Sequence, residues 1–286
     1  MTMETRTNDS LAKAIEARVR KAGTSFYWGM RLLSPERRAA MYAIYVFCRE
    51  VDDIVDGDLP VPEKHRQLDA WRMEIRAVFR GDPATDIGNA LLTPVRRFGL
   101  QLDDFLAVID GMQMDADGPI QAPDGNMFDL YIDRVACAVG RLSVRAFGAD
   151  EAGLPVASAL GRALQITNIL RDLDEDAEIG RLYLPRELLT AHGIEATDPK
   201  TVLAHPRLSE VCSVLAEDAR QAFAEATRAT HDCPPGTMRG SNVMQAAYEA
   251  VLTRLIARGW RNRAPVKVPT LVKLWLVLRH GLLAAK

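Results

Sequence analysis

The sequence lacks most of the features on which compartment and catalytic signatures are built. Its four cysteines (Cys48, Cys137, Cys212 and Cys233) are scattered with no C-x-x-C pair. Neither a disulfide framework nor a thiol-ligated metal is expected, and ordinary thiols in a reduced cytoplasmic setting fit best. His192, His205, His231 and His280 have no metal-ligand spacing. No run of about eighteen apolar residues exists, which argues against a spanning helix. The first ten residues, MTMETRTNDS, are polar and carry no apolar core of a signal peptide. Charge of one sign is not in excess: 36 Lys and Arg face 38 Asp and Glu, a net of −2. A basic footprint for nucleic acid is therefore absent. Convincing alternating strands, G-x-G-x-x-G, P-loops and repeats of 20–50 residues are missing too.

What remains is helix. With 48% hydrophobic residues in 286, the chain can bury a sizeable core, and its length allows one large domain or two small ones. Residues 1–9 are expected to be disordered, with Ser10 capping a helix that runs to Arg20. Gly23-Thr24-Ser25-Phe26 breaks the pattern, either as an ordinary turn or as small hydroxylated residues able to bond an anion. Ser34 and Pro35 start a helix to Asp56 whose apolar stripe is Met41, Ile44, Cys48, Val51 and Val55. Further helices are predicted over 63–80, 87–98, 102–114 and 127–147, then over 185–192, 199–204, 207–230 and 237–260. Asp115–Asn126 reads as a loop over or near the site; its acids lack calcium-loop spacing. Ala136, Cys137, Ala138 and Gly140 form a patch of small residues, which suits close helix packing and would also leave room for a long ligand. The apolar tail Pro269–Leu283 could dock as a last core helix or lie on a membrane surface, and docking is the expectation.

Two acidic stretches carry the chemistry. Gln165–Pro185 reads QITNILRDLDEDAEIGRLYLP, and a helix ended by Gly180 is predicted from Gln165. Gly161, Gln165, Asn168, Asp172 and Asp176 then share one face, with Ile166, Ile169, Leu170, Leu173 and Ala177 on the other. The arrangement is costly. Like charges at i,i+4 each destabilise by roughly 0.2–0.5 kcal/mol, and anions near a helix C-terminus cost about 0.3–1 kcal/mol more. Arg49–Asp56, REVDDIVD, repeats the device, with Tyr45, Arg49, Asp52 and Asp56 on one face. Two D-x-x-x-D helix ends, each with an arginine (Arg49, Arg171), suit Mg²⁺ held by carboxylate oxygens and completed by diphosphate. The arginines would bond the remaining phosphate oxygens.

The segments TSFYWGMRLLSPERRAAMYAIYVFCREVDDIVD (24–56), YIDRVACAVG (131–140) and QITNILRDLDEDAEIGRLYLP (165–185) resemble the squalene/phytoene synthase family, from about Gly23 to His280. The residues themselves predict an all-α single domain with two acidic helices facing across a central apolar cavity. The resemblance implies the isoprenoid synthase fold. It further implies metal binding by Asp52, Asp56, Asn168, Asp172 and Asp176. Substrate contacts would come from Thr24, Ser25, Phe26, Tyr45, Arg49, Val135, Gln165, Asn168, Arg171, Arg181 and Tyr248. Catalytic roles fall to Tyr45, Arg49, Asp52, Tyr131 and Asp172. Some relatives carry a basic residue where this chain has Thr24.

The implied reaction joins two farnesyl diphosphates head to head into presqualene diphosphate, feeding squalene and hopanoid synthesis and its squalene-forming enzymes. The alternatives are the C20 reaction to phytoene, full reduction to squalene with NADPH, and a prenyl-lipid-binding protein that has lost catalysis. The last should have lost its acidic pairs, and here both are intact.

Overall fold

The computed structural model describes residues 3–22, 26–261 and 265–266. Among these, fourteen α-helices follow one another: α1 Met3–Lys21, α2 Phe26–Arg31, α3 Pro35–Asp56, α4 Val61–Arg80, α5 Asp86–Phe98, α6 Leu102–Ala116, α7 Gly125–Ile132, α8 Ala138–Phe147, α9 Leu154–Arg171, α10 Leu173–Glu178, α11 Arg186–Ala191, α12 Pro199–Ala204, α13 Leu208–Thr230 and α14 Arg239–Arg258. No β-strand forms among the described residues; the one bridge pairs Gln121 with Leu182.

Local chemistry explains the boundaries. Thr85 caps α5 by accepting from the Gly88 amide (2.9 Å), and Asp124 caps α7 by accepting from the Met127 amide (2.8 Å), each satisfying an orphan donor of the first turn. Pro35 opens α3 as expected, although Ser34 makes no side-chain cap bond. Gly148 ends α8 at φ +77°, a conformation that costs glycine nothing.

Three expectations are corrected. The first helix begins at Met3 rather than after Ser10, since the sequence from Met3 to Asp9 holds neither proline nor glycine. The helix predicted over 127–147 contains a π-helical turn, Asp133–Cys137. Gly161 of α9 backs onto this turn so closely that a Cβ there would sit 2.8 Å from Cys137 Cα. Finally, the helix expected to run unbroken from Gln165 to Gly180 bends at Asp172 (φ −102°, ψ 16°), separating α9 from α10. The bend falls where like charges crowd and Asp disfavours the helix. The tail Pro269–Leu283 lies outside the described residues.

The core is organised on α9, which packs along α13 and α8, with the π-turn against its flank. Ile166, Thr167, Ile169 and Leu170 are all buried, and the Thr167 hydroxyl donates to the Ala163 carbonyl (2.7 Å). Two arginine clamps hold the layers in register. Arg162 on α9 reaches Asp129 of α7 (2.7 Å) and Asp218 of α13 (2.7 Å). Arg141 on α8 reaches Asp104 of α6 (2.5 Å) and Asp133 of the π-turn (2.7 Å).

Candidate active site

The C-terminal ends of α3 and of the α9–α10 pair open onto one cavity of about 760 Å³, within the range of ligand sites. Tyr45, Arg49, Asp52 and Asp56 line it from α3. Gln165, Asn168, Arg171, Asp172 and Asp176 line it from α9 and α10, and Tyr131, Val135, Arg181 and Tyr248 complete the set. Thr24 and Ser25 lie outside the described residues, as does the side chain of Phe26, the first residue of α2. Deeper walls are apolar, including Met41, Ile44, Val108, Leu160 and Leu164. Cys48 belongs with these walls: burial pushes its thiol up to about 12, so it stays neutral.

Cations offset the acids at each motif. Arg49 bonds Asp52 (2.9 Å) and Asp53 (2.6 Å). Arg171 grips Asp172 with both prongs of its fork (2.7 and 2.6 Å), the bidentate geometry that guanidinium favours. That pairing, with a hydrogen bond to Tyr248, raises the Arg171 pKa. Arg181 comes from the extended segment after Gly180, where φ is +79°, and reaches across to Asp56 at 3.6 Å. It thus joins the second acidic stretch to the first.

The charge balance is incomplete. The Asp52 side chain is 40% exposed at the cavity mouth, yet partial withdrawal from water, then the Asp56 charge, raise its pKa to about 6. Burial, followed by the Asp172 charge, raises Asp176 to about 7. The Asn168 amide nitrogen bonds Gln165 (3.3 Å), whereas its buried Oδ1 has no protein partner. Crowded carboxylates beside an unpartnered amide oxygen form an all-oxygen donor set, which suits a hard divalent cation. Among the described residues, however, no group of three or more His, Cys, Asp or Glu is gathered closely enough to hold a metal alone. The donors fit Mg²⁺ whose remaining ligands come from elsewhere, since this ion keeps several waters or phosphate oxygens.

Asp115 and Tyr183 also line the cavity, outside the site residues that the sequence singles out. Asp115 belongs to α6, which extends to Ala116, and not to the loop that the sequence predicts over 115–126. Its hydroxyl partners are Tyr131 (3.1 Å) and Tyr183 (2.7 Å). A signal was available: Val108, Met112 and Asp115 step by four and three, repeating the polar-ended ladder of the other motifs, and all three line the cavity. Tyr183, in the extended RLYLP segment, carried no periodic signal. It is fixed by long-range backbone bonds, Leu182 N–H to Ile120 O (2.7 Å) and Ala122 N–H to Leu182 O (2.8 Å). These stitch the loop after α6 to the segment after α10.

This is an all-helical fold with a charged rim over an apolar chamber, and the chain belongs to the squalene/phytoene synthase family, whose model matches residues 19–272. A presqualene diphosphate synthase from Zymomonas mobilis is 52% identical over 261 residues, 90% of this chain and 88% of that protein. Another, from Rhodopseudomonas palustris, is 48% identical over 91% of this chain and 94% of its own length. The backbone is similar to the crystal structure of a squalene synthase from Alicyclobacillus acidocaldarius, with a TM-score of 0.80 at 25% identity over 93% of this chain and 98% of that one.

Proposed function

We propose that the chain is a Mg²⁺-dependent prenyltransferase that condenses two farnesyl diphosphates into presqualene diphosphate and releases one diphosphate. The observation that carries this reading is the sharing of one cavity by two acidic helix ends above an apolar interior. Such a site is complementary to an amphiphile with a diphosphate head and a hydrocarbon tail. Relatives about half identical and named for the presqualene product support the choice of substrate and product.

When bound, Mg²⁺ would be held by Asp52, Asp56, Asn168, Asp172 and Asp176 and would draw charge from the leaving diphosphate. Arg49 and Arg171 orient the leading aspartates, and with Arg181 they supply cationic donors for phosphate oxygens. Gln165 and Tyr248 border the same rim, and the family resemblance adds Thr24, Ser25 and Phe26 to the diphosphate end. The apolar walls, Val135 among them, exclude water from the allylic cation left when the C–O bond of one farnesyl diphosphate breaks. The C2=C3 electron pair of the second substrate attacks that cation. Loss of a proton then closes the cyclopropane, and released diphosphate takes the proton, since no histidine lies among the described lining residues. Tyr45 and Tyr131 offer aromatic faces and hydroxyl oxygens to the cation. Downstream partners would be squalene-forming enzymes of hopanoid synthesis. A peripheral membrane contact belongs to the same proposal; among the described residues no helix is long and apolar enough to cross a membrane.

The test is incubation of the full chain with farnesyl diphosphate and Mg²⁺, with and without NADPH, followed by product mass. Presqualene diphosphate in both arms is expected. Squalene appearing with NADPH would reassign it as a complete squalene synthase. Consumption of geranylgeranyl diphosphate in preference would reassign it to phytoene formation.

A further inference from the structure

Asp115 is a half-buried carboxylate inside the cavity that belongs to neither D-x-x-x-D motif. Each of its oxygens takes one hydroxyl: Oδ1 from Tyr183 at 2.7 Å and Oδ2 from Tyr131 at 3.1 Å. The two rings are stacked, with centroids 4.7 Å apart and planes at 20°, and both side chains are buried. Burial raises the Asp115 pKa, and the Arg181 charge with the two tyrosine hydroxyls opposes that rise. The three residues come from three separate elements, α6, α7 and the stitched segment after α10. Their convergence is therefore a property of the tertiary fold.

A tyrosine hydroxyl has one proton to donate and lone pairs to accept with. Here the protons stay within the cluster, directed to Asp115 and shared between the two hydroxyls, so any bound group meets these hydroxyls as acceptors. A wall that accepts and cannot donate presents the negative end of each O–H dipole and the electron-rich ring faces, which favours a carbocation. Without the carboxylate, each hydroxyl could turn and donate to diphosphate oxygens, reversing that dipole. The same bonds occupy both Asp115 oxygens and lower their tendency to capture the cation.

We propose that Asp115 is a positioning residue for prenyl transfer, acting through Tyr131 and Tyr183 by fixing both hydroxyls as acceptors toward the reacting chain. This rests on the carbocation reading above and deepens it. The test uses the full chain with farnesyl diphosphate and Mg²⁺, comparing Asp115→Asn, Tyr183→Phe, the Tyr131→Phe/Tyr183→Phe pair, and the triple variant. Asp115→Asn should lower kcat by roughly 10–100-fold while KM and the Mg²⁺ midpoint stay within about twofold. More farnesol should form by water capture of the cation. Added to the tyrosine pair, Asp115→Asn should change kcat no further, because residues acting as a unit are not additive.

Wild-type kcat in Asp115→Asn overturns the proposal. So does a loss that appears as a raised Mg²⁺ midpoint, which would make Asp115 another metal carboxylate, and so does an undiminished effect in the tyrosine-free background. If Asp115→Asn does not fold, Tyr183→Phe decides, and an unchanged kcat there overturns the proposal. Near-ultraviolet titration of tyrosine ionisation gives a readout free of turnover. Burial, and after it the Asp115 charge, holds both tyrosines above their ordinary pKa, so Asp115→Asn should ionise them at lower pH, and an unmoved titration overturns the clamp. If the wild type makes no presqualene diphosphate, the functional reading fails alone. The same variants are then assayed with whichever prenyl diphosphate the wild type consumes.

Discussion

Asp172 concentrates the forces at the site: it is gripped by the fork of Arg171, it raises the pKa of Asp176, and it occupies the bend between α9 and α10. Its carboxylate is maintained at a position where a helix would prefer none. Asp172→Asn should therefore reduce Mg²⁺-dependent kcat by roughly a hundredfold or more, the scale of a lost electrostatic contact to a transition state. Thermal unfolding should change little, since relief of repulsion offsets the lost ion pair. Steady-state assays across Mg²⁺ concentrations, run beside a melting curve, check both halves. The sequence made Asp172 and Asp52 conspicuous because each sits in a repeated pattern. Asp115 ends a ladder of similar spacing, but its tyrosine partners are 16 and 68 residues away in the chain, so nothing local announces the cluster.

At the level of elements, the contact between α9 and the π-turn shapes the cavity wall. Gly161 meets the backbone of Cys137, where a Cβ would lie 2.8 Å from Cα and 2.9 Å from N. An alanine in an ordinary helix interior is better than glycine by up to about 1 kcal/mol. Here the sign reverses, and Gly161→Ala should destabilise by roughly 1–3 kcal/mol, as overpacking does, read as a lower denaturant midpoint. The small residues of 136–140 were ambiguous in sequence between packing and room for a ligand. Both hold: Ala136 and Gly140 line the cavity, while a Cβ on Gly140 would come within 2.9 Å of the Ala157 carbonyl. The π-turn itself was illegible, because periodicity along one strand of sequence does not reveal a neighbour's backbone.

Across the whole molecule, acids from α3, α6 and the α9–α10 pair crowd one cavity, and this links stability to pH. Asp176 at about 7 and Asp52 at about 6 both stand above the ordinary carboxyl value near 4. The folded protein thus keeps protons that the unfolded chain has released. Without metal, stability should be greatest below about pH 4 with respect to these groups, then decline as pH rises toward 7, and their effect should level off above. Melting curves at several pH values in chelator test this slope. Mg²⁺ with inorganic diphosphate should raise the melting temperature by binding only the folded state, most at the upper end of that window, where the carboxylates are ionised.

The sequence by itself determined most of the helices and the two acidic ladders, because helical periodicity and side-chain chemistry act between residues three and four apart. Only the tertiary structure decided that both ladders open onto one chamber, that Arg181 ties one to the other, that a π-turn packs against Gly161, and that Asp115 gathers two tyrosines. Those arrangements depend on which backbones approach and which charges meet after long loops close, and no local rule of spacing encodes such meetings.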